Sequence, residues 1–178
     1  MLRLFSYWSA PCSTQYWFRQ SPYRTTGTGA NTFSPNRPCT RAEVVTLLWR
    51  ALSLDESSAR AQSNPFVDVE NDDYFRDAVL WAAEYGITSG TDKSHFSPDK
   101  TCTRAEVVTF LWRSHFPTEV VMDGTDFRDV SSTSYYFLPV SWAVKEGITS
   151  GTGKDTFSPN MVCTRSQVVT FLYRYFGD

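Results

Sequence analysis

The chain has 178 residues, a formal net charge of -2 and no block of basic side chains, which excludes nucleic acid as a principal partner because nothing would neutralise a run of phosphates. No apolar run is long enough to span a bilayer, so membrane insertion is excluded as well. Aromatic residues make up 16% of the chain, more than a minimal core needs, and some are expected to face solvent or to pack between structural units.

Residues 1–26 are irregular. Polar side chains interrupt any apolar stretch, so no export signal is read there, and the chain is expected to be a piece of a larger exported protein. The run Tyr7-Trp8-Ser9-Ala10-Pro11 echoes Tyr135-Tyr136-Phe137-Leu138-Pro139 before the likeness dissolves. The segment reads either as the frameshifted or truncated start of a repeat or as a divergent N-terminal cap.

From residue 27 onward the sequence is repetitive. Residues 127–174 match residues 66–113 at a constant offset of 61 without a gap, and 27–52 matches the region from Gly90 at an offset of 63. A fixed period is the signature of a modular array, which favours a repeated binding surface or a scaffold over a single catalytic site. The units are a partial repeat 1 (27–52), a linker (53–65), repeat 2 (66–116), a second linker (117–126) and repeat 3 (127–178).

In repeat 2, Phe66-Val67-Asp68-Val69 reads as a short extended lead-in, and Asn71-Asp72-Asp73 offers capping and turn residues. Tyr74, Ala78, Trp81, Ala82 and Tyr85 then recur at helical steps. Gly86 is placed to end that helix, and a loop follows with Phe96 as its apolar anchor and a Ser-Pro-Asp turn. Thr103 and Glu106 have the spacing of a capping box that opens a second helix, with Thr40/Glu43 and Thr164/Gln167 in the same slots of the other repeats. Each unit is therefore helix–loop–helix, and the fold class is all-α, with stacked units sharing a core. Cys39, Cys102 and Cys163 occupy one slot per repeat, a poor pattern for disulfides. They read as small apolar residues at the staple position before each capping box. Convergence on zinc is the remote alternative, since no ligand-type spacing is present.

Arg41, Arg104 and Arg165 follow the capping threonines at the first helical position. Arginine is seldom buried, and a cation at the positive end of a helix dipole is mildly unfavourable. A cation kept there three times points to an anionic ligand, with a salt bridge to a neighbouring repeat as the alternative. Trp81 and Trp142 serve either the core or stacking on a ligand. Asp68 and Asp129 either hold a turn or accept a hydrogen bond from a ligand. Gly90 and Gly151 either need positive φ or let a ligand approach closely. Enzyme chemistry has no footing: His95 and His115 lie in unlike surroundings, and no nucleophile elbow, phosphate loop, HExxH or dinucleotide fingerprint occurs. No cofactor and no metal are expected.

These residues resemble the S-layer homology family. The likeness is carried by F-x-D-V, A-V-x-W-A-x-x-x-G-I-T-S-G, F-S-P-D/N and T-R-A-E, the last reading T-R-S-Q in repeat 3, and it covers residues 27–178. Cysteine stands before T-R-A-E where the family usually has Ile or Val. The resemblance implies three tandem units in a pseudo-threefold bundle with grooves between neighbours. It implies an anchoring role outside the cell, at the cell wall or S-layer of a bacterium, through a secondary cell-wall polysaccharide attached to peptidoglycan that often carries acidic pyruvyl ketals. The arginine implicated there carries over onto Arg41, Arg104 and Arg165, and with such a ligand the alternatives left open above become stacking of Trp81 and Trp142 on a sugar face, a sugar hydroxyl bound to Asp68 and Asp129, and close approach of a sugar to Gly90 and Gly151. Two rival readings stand beside it: a module for assembly with other envelope proteins, and a non-functional fragment. Grooves that use the first helix of repeat 1 are in doubt.

Overall fold

The computed structural model describes residues 27–52, 63–115 and 124–176. The readings of residues 1–26 and of most of both linkers lie outside the described residues. Among the described residues there are five helices, with isolated bridges but no strand: α1 (Arg41–Ala51), α2 (Arg76–Glu84), α3 (Arg104–Ser114), α4 (Phe137–Lys145) and α5 (Arg165–Phe176). The fold is all-α.

Helices α1, α3 and α5 begin where the T-R-A-E and T-R-S-Q runs begin. The Thr40 and Thr103 hydroxyls accept the N–H of Glu43 and Glu106, and each Glu carboxylate accepts the N–H of its threonine. In α5 the Thr164 N–H donates to the Gln167 side-chain oxygen at 3.0 Å, and the Gln167 N–H donates to Thr164 Oγ1 at 3.4 Å. Each reciprocal pair satisfies two backbone groups that a helix start otherwise leaves orphaned.

Helix α2 is shorter than its apolar spacing suggests. Tyr74 precedes it and Tyr85 follows it, and both are exposed (65% and 50%), so the buried face runs instead through Ala78, Val79, Leu80, Trp81 and Ala82. Its N-cap is Phe75, without a side-chain cap, and Asp73 serves the preceding turn by accepting the Glu70 N–H. Residues 67 and 68 form a turn rather than an extended lead-in. Gly86 has φ 69°, with the Ile87 N–H bonded to Ala82 O and the Gly86 N–H to Ala83 O. That pair of bonds is a Schellman closure, and Gly147 ends α4 in the same way.

The second helix of one repeat packs on the first helix of the next, α1 on α2 and α3 on α4, while α1 also meets α5. The three repeats therefore close into a ring. At its centre the cysteines exchange backbone hydrogen bonds in a cycle: Cys39 N–H to Cys163 O, Cys102 N–H to Cys39 O and Cys163 N–H to Cys102 O, each 2.9 Å. All three thiols are free and fully buried. Burial pushes the Cys39 thiol up to about 12 and the Cys163 thiol to about 11, with Cys102 raised too. A neutral thiol is a small apolar group, and it fits the apolar reading of that slot.

Candidate functional site: the inter-repeat grooves

Where each capped helix starts, its arginine reaches across to the loop of the next repeat. Arg41 Nε donates to Phe96 O at 2.9 Å, Nη2 to Thr88 Oγ1 at 3.2 Å and Nη1 to Glu106 Oε1 at 3.4 Å. Arg104 repeats the first two bonds on Phe157 O (3.0 Å) and Thr149 Oγ1 (3.2 Å). Arg165 closes the ring onto repeat 1, with Nε on Phe33 O at 3.1 Å and Nη1 on Glu43 Oε1 at 3.4 Å. Each guanidinium also lies against the phenylalanine whose carbonyl it binds, at 5.0, 4.8 and 5.2 Å from the ring centroid of Phe96, Phe157 and Phe33. The expectation that these arginines avoid burial is overturned: they are 3%, 3% and 4% exposed. Cross-repeat hydrogen bonds, ring faces and, for two of them, a carboxylate make burial tolerable. For Arg104, where Gln167 replaces the glutamate, burial depresses the pKa.

The loop that receives each arginine is held by an aspartate. Asp68 accepts the Phe96 and Ser97 N–H groups on its two oxygens, both at 2.8 Å, and Asp129 accepts those of Phe157 (2.8 Å) and Ser158 (2.7 Å). Ser97 and Ser158 both sit at φ 58°, a left-handed conformation costly for a non-glycine residue that a two-point clamp can hold. These carboxylates are committed to backbone, which fits the turn role rather than a sugar contact. Gly90 (φ 80°) and Gly151 (φ 86°) lie at the other end of the loop. A Cβ on Gly90 would come within 2.4 Å of His95 O and 2.7 Å of the Phe66 ring. Glycine is needed there for both conformation and space.

Two grooves open beside these arginines. The first, about 480 Å³, is lined by Arg165, Arg37, Arg50, Glu43, Thr28, Gly27, Thr46, Leu47 and Tyr74. The second, about 280 Å³, is lined by the counterparts Arg41, Lys100, Arg113, Glu106, Thr91, Gly90, Thr109, Phe110 and Tyr135, with Thr88 and Ser89 added. Each brings three cations around one carboxylate, beneath a tyrosine that is 65% (Tyr74) or 62% (Tyr135) exposed. In the first groove Glu43 pairs with Arg37 and Arg165. Burial opposes its charge, but the Thr40 N–H and the two arginines outweigh that and hold its carboxyl below the usual range. In the second, Glu106 lies 3.4 Å from both Lys100 Nζ and Arg41 Nη1.

Of the sequence-derived candidates, the grooves gather Arg41, Arg165, Gly90, Glu43 and Glu106. They do not gather the tryptophans. Trp81 is 3% exposed in the core and has no free ring face, so the sugar-stacking alternative does not fit it. Trp142 is half-buried against His115 and Tyr175, at 5.5 and 5.3 Å between centroids, away from either groove. Sequence reasoning missed Tyr74 and Tyr135, Arg37 and Lys100, and Arg50 and Arg113 as groove residues. Each pair recurs at the repeat offset, which was the available signal. In repeat 3 the Lys100 and Glu106 slots hold Met161 and Gln167, so cation and carboxylate are replaced together.

The model of the S-layer homology domain matches residues 25–45, 65–108 and 126–169. Exoglucanase XynX of Acetivibrio thermocellus is 28% identical over 146 residues, 79% of this chain and 13% of its own length. Cell surface glycoprotein 1 of the same organism is 29% identical over 153 residues, 80% of this chain and 6% of its own. The cellulosome-anchoring protein of that organism is 27% identical over 150 residues, 80% of this chain and 33% of its own. The chain thus spans a third or less of the length of these relatives. With three matched segments that together cover more than half of it, the chain belongs to the S-layer homology domain family.

Proposed function

We propose that this chain is a non-catalytic anchoring module that holds an exported bacterial protein to the cell wall by binding an acidic, pyruvylated secondary cell-wall polysaccharide. The observation that carries the reading is the matched pair of grooves, each with three cations around one carboxylate and an exposed tyrosine at the rim. Such a surface has surplus positive charge for an acidic substituent and a ring for a sugar face. Arg41 and Arg165 form the groove floors, while Arg37 and Lys100 stand at the exposed edges. Arg104 is assigned the same role at the third position, where Arg174 supplies the second cation and the counterpart of Tyr135 falls in residues 1–26, outside the described residues. Gly90 and Gly151 shape the loops that the glycan approaches. Each groove binds weakly, and tethering two on one rigid ring raises the avidity. The names of two relatives, a cell surface glycoprotein and a cellulosome-anchoring protein, support placement at the cell surface.

The test is sedimentation of the chain with purified Gram-positive wall sacculi, native and stripped of secondary polymer. An Arg37→Gln/Lys100→Gln variant serves as the comparison, because these two side chains are exposed and their loss spares the buried lock. Binding to native walls only, weakened by salt and by the double variant, is expected. Binding that ignores salt, polymer removal and the variant would favour assembly with envelope proteins instead.

A further inference from the structure

We infer that Gln167 makes the third inter-repeat position, at Arg104, the strongest carboxylate site of the chain: one carboxylate of the acidic saccharide takes the place that Glu43 and Glu106 fill at the other two. This rests on the glycan reading above. The Arg41 guanidinium gives its nitrogens to Phe96 O, Thr88 Oγ1 and Glu106 Oε1. For Arg104 the first two bonds recur on Phe157 O and Thr149 Oγ1, but Nη1 has no acceptor among the described residues. The cause is the capping residue. Glu106 accepts the Thr103 N–H on Oε2 and turns Oε1 toward Arg41. Gln167 gives its single oxygen to the Thr164 N–H at 3.0 Å, so its Nε2 takes the place of that second oxygen. A donor stands where the other repeats have an acceptor, and by the repeat Arg104 Nη1 and Gln167 Nε2 converge on one spot. Neither is sealed: among the described residues the fully buried side-chain atoms without a partner are Trp49 Nε1 and Arg76 Nε, so both donors touch solvent. Arg104 is nevertheless 3% exposed, and the carboxylate of nearby Asp129 is committed to the Phe157 and Ser158 N–H groups. A buried guanidinium short of one acceptor gains most from an anion that supplies it. The effect is local. Met161 and Gln167 stand where Lys100 and Glu106 stand, so one charge of each sign is exchanged for a neutral side chain and long-range attraction is little changed. At Arg41 and Arg165 a ligand carboxylate enters beside Glu106 or Glu43, each already 3.4 Å from the guanidinium, and like charges oppose it. At Arg104 it meets two donors instead.

Each arginine reports on its own position, because each Nε–H is hydrogen-bonded to a carbonyl and protected from fast exchange. The full chain, ¹⁵N-labelled on arginine, is titrated by NMR with the methyl glycoside of a hexose 4,6-pyruvate ketal and, separately, with acetate. Arg41→Lys, Arg104→Lys and Arg165→Lys variants assign the three signals. The ketal is expected to bind at Arg104 about tenfold more tightly than at Arg41 or Arg165, the worth of one hydrogen bond to a charged group. Gln167→Glu is expected to erase that lead, and Glu106→Gln to strengthen binding at Arg41 by a similar factor. Both swaps bring in a residue that already closes the same capping box elsewhere in this chain, so the helix starts are kept. A wild-type chain in which Arg104 responds together with or after Arg41 and Arg165, or a swap that leaves the affinity at its arginine unchanged, overturns the inference and leaves the glycan reading standing. A response of Arg104 to acetate with none to the ketal supports the carboxylate site and overturns the saccharide as its source. Silence of all three arginines toward both probes overturns both.

Discussion

Removing the Asp68 carboxylate should destabilise the protein well beyond what a half-buried surface-loop residue would suggest. Its two oxygens each accept a backbone N–H at 2.8 Å, from Phe96 and Ser97. A hydrogen bond to a charged group contributes about 1.5–3 kcal/mol, so the pair holds about 3 kcal/mol at the low end of that range, which suits partial exposure. Asp68→Ala also releases Ser97, held at φ 58° against a preference of about 1–2 kcal/mol. Asp68→Ala should therefore cost about 3 kcal/mol, or roughly 6–12 °C in Tm at this chain length. Asp129→Ala should match it, because its bonds are 2.8 and 2.7 Å. A second result separates this account from a generic loop defect. The Phe96 peptide is held from both sides, its N–H by Asp68 and its carbonyl by Arg41 Nε at 2.9 Å. Asp68→Ala and Arg41→Met should then be coupled by at least about 0.5 kcal/mol in urea denaturation. Asp129→Ala and Arg41→Met share no peptide and should add. A cost for Asp68→Ala below about 1 kcal/mol, or strict additivity with Arg41→Met, would refute the reasoning.

Gly90→Ala and Gly86→Ala provide a matched pair. Both positions have positive φ, but a Cβ meets nothing within 4 Å at Gly86 and reaches 2.4 Å from His95 O at Gly90. Gly86→Ala should cost about 1–2 kcal/mol in thermal or urea unfolding and Gly90→Ala clearly more. With Cys12, the fourth cysteine of the chain, replaced by Ser, the three ring-centre thiols should resist a disulfide reagent at pH 8 until the protein unfolds. Burial raises Cys39 to about 12 and Cys163 to about 11, leaving little thiolate, and uniform fast reaction would contradict that. His95 should titrate above its ordinary 6.5, because the Asp92 side chain hydrogen-bonds its Nδ1 at 3.0 Å and adds an attractive charge. A raised folded pKa means that its contribution is complete below pH 6.5 and fades as pH rises through the folded value. NMR should show Asp92→Asn returning His95 toward 6.5.

The elements most legible in the sequence were those fixed by local chemistry. The T-R-A-E and T-R-S-Q runs mark three helix starts, and helices begin at Arg41, Arg104 and Arg165 because a threonine and a residue three positions on satisfy each other's backbone. The glycines after α2 and α4 end those helices for an equally local reason, their positive φ. Reasoning failed where a residue's fate depends on the neighbouring repeat. Arginine composition argues against burial, yet Arg41 is buried because Phe96, Thr88 and Glu106 arrive from 47–65 residues away. The helical stripe through Tyr74 and Tyr85 failed similarly: both tyrosines lie just beyond the ends of α2, where periodicity no longer decides exposure.

Closure of the ring explains how the repeated slots can combine a structural role with the proposed recognition role. In an open solenoid each unit meets only its sequence neighbours, and terminal units need a polar cap. Here Arg165 reaches Phe33 across 132 residues and Cys39 bonds to Cys163, so repeat 3 is a neighbour of repeat 1. Each groove is then built by more than two elements at once: the second takes its floor from Arg41 of repeat 1, its wall from Lys100 and Phe110 of repeat 2 and its rim from Tyr135 of repeat 3. The arginine that locks two repeats together also forms the floor of the groove between them. Truncating it would loosen the ring and empty the groove together. Exposed edge residues such as Arg37 and Lys100 are consequently the positions at which the proposed recognition can be tested while the fold stays intact.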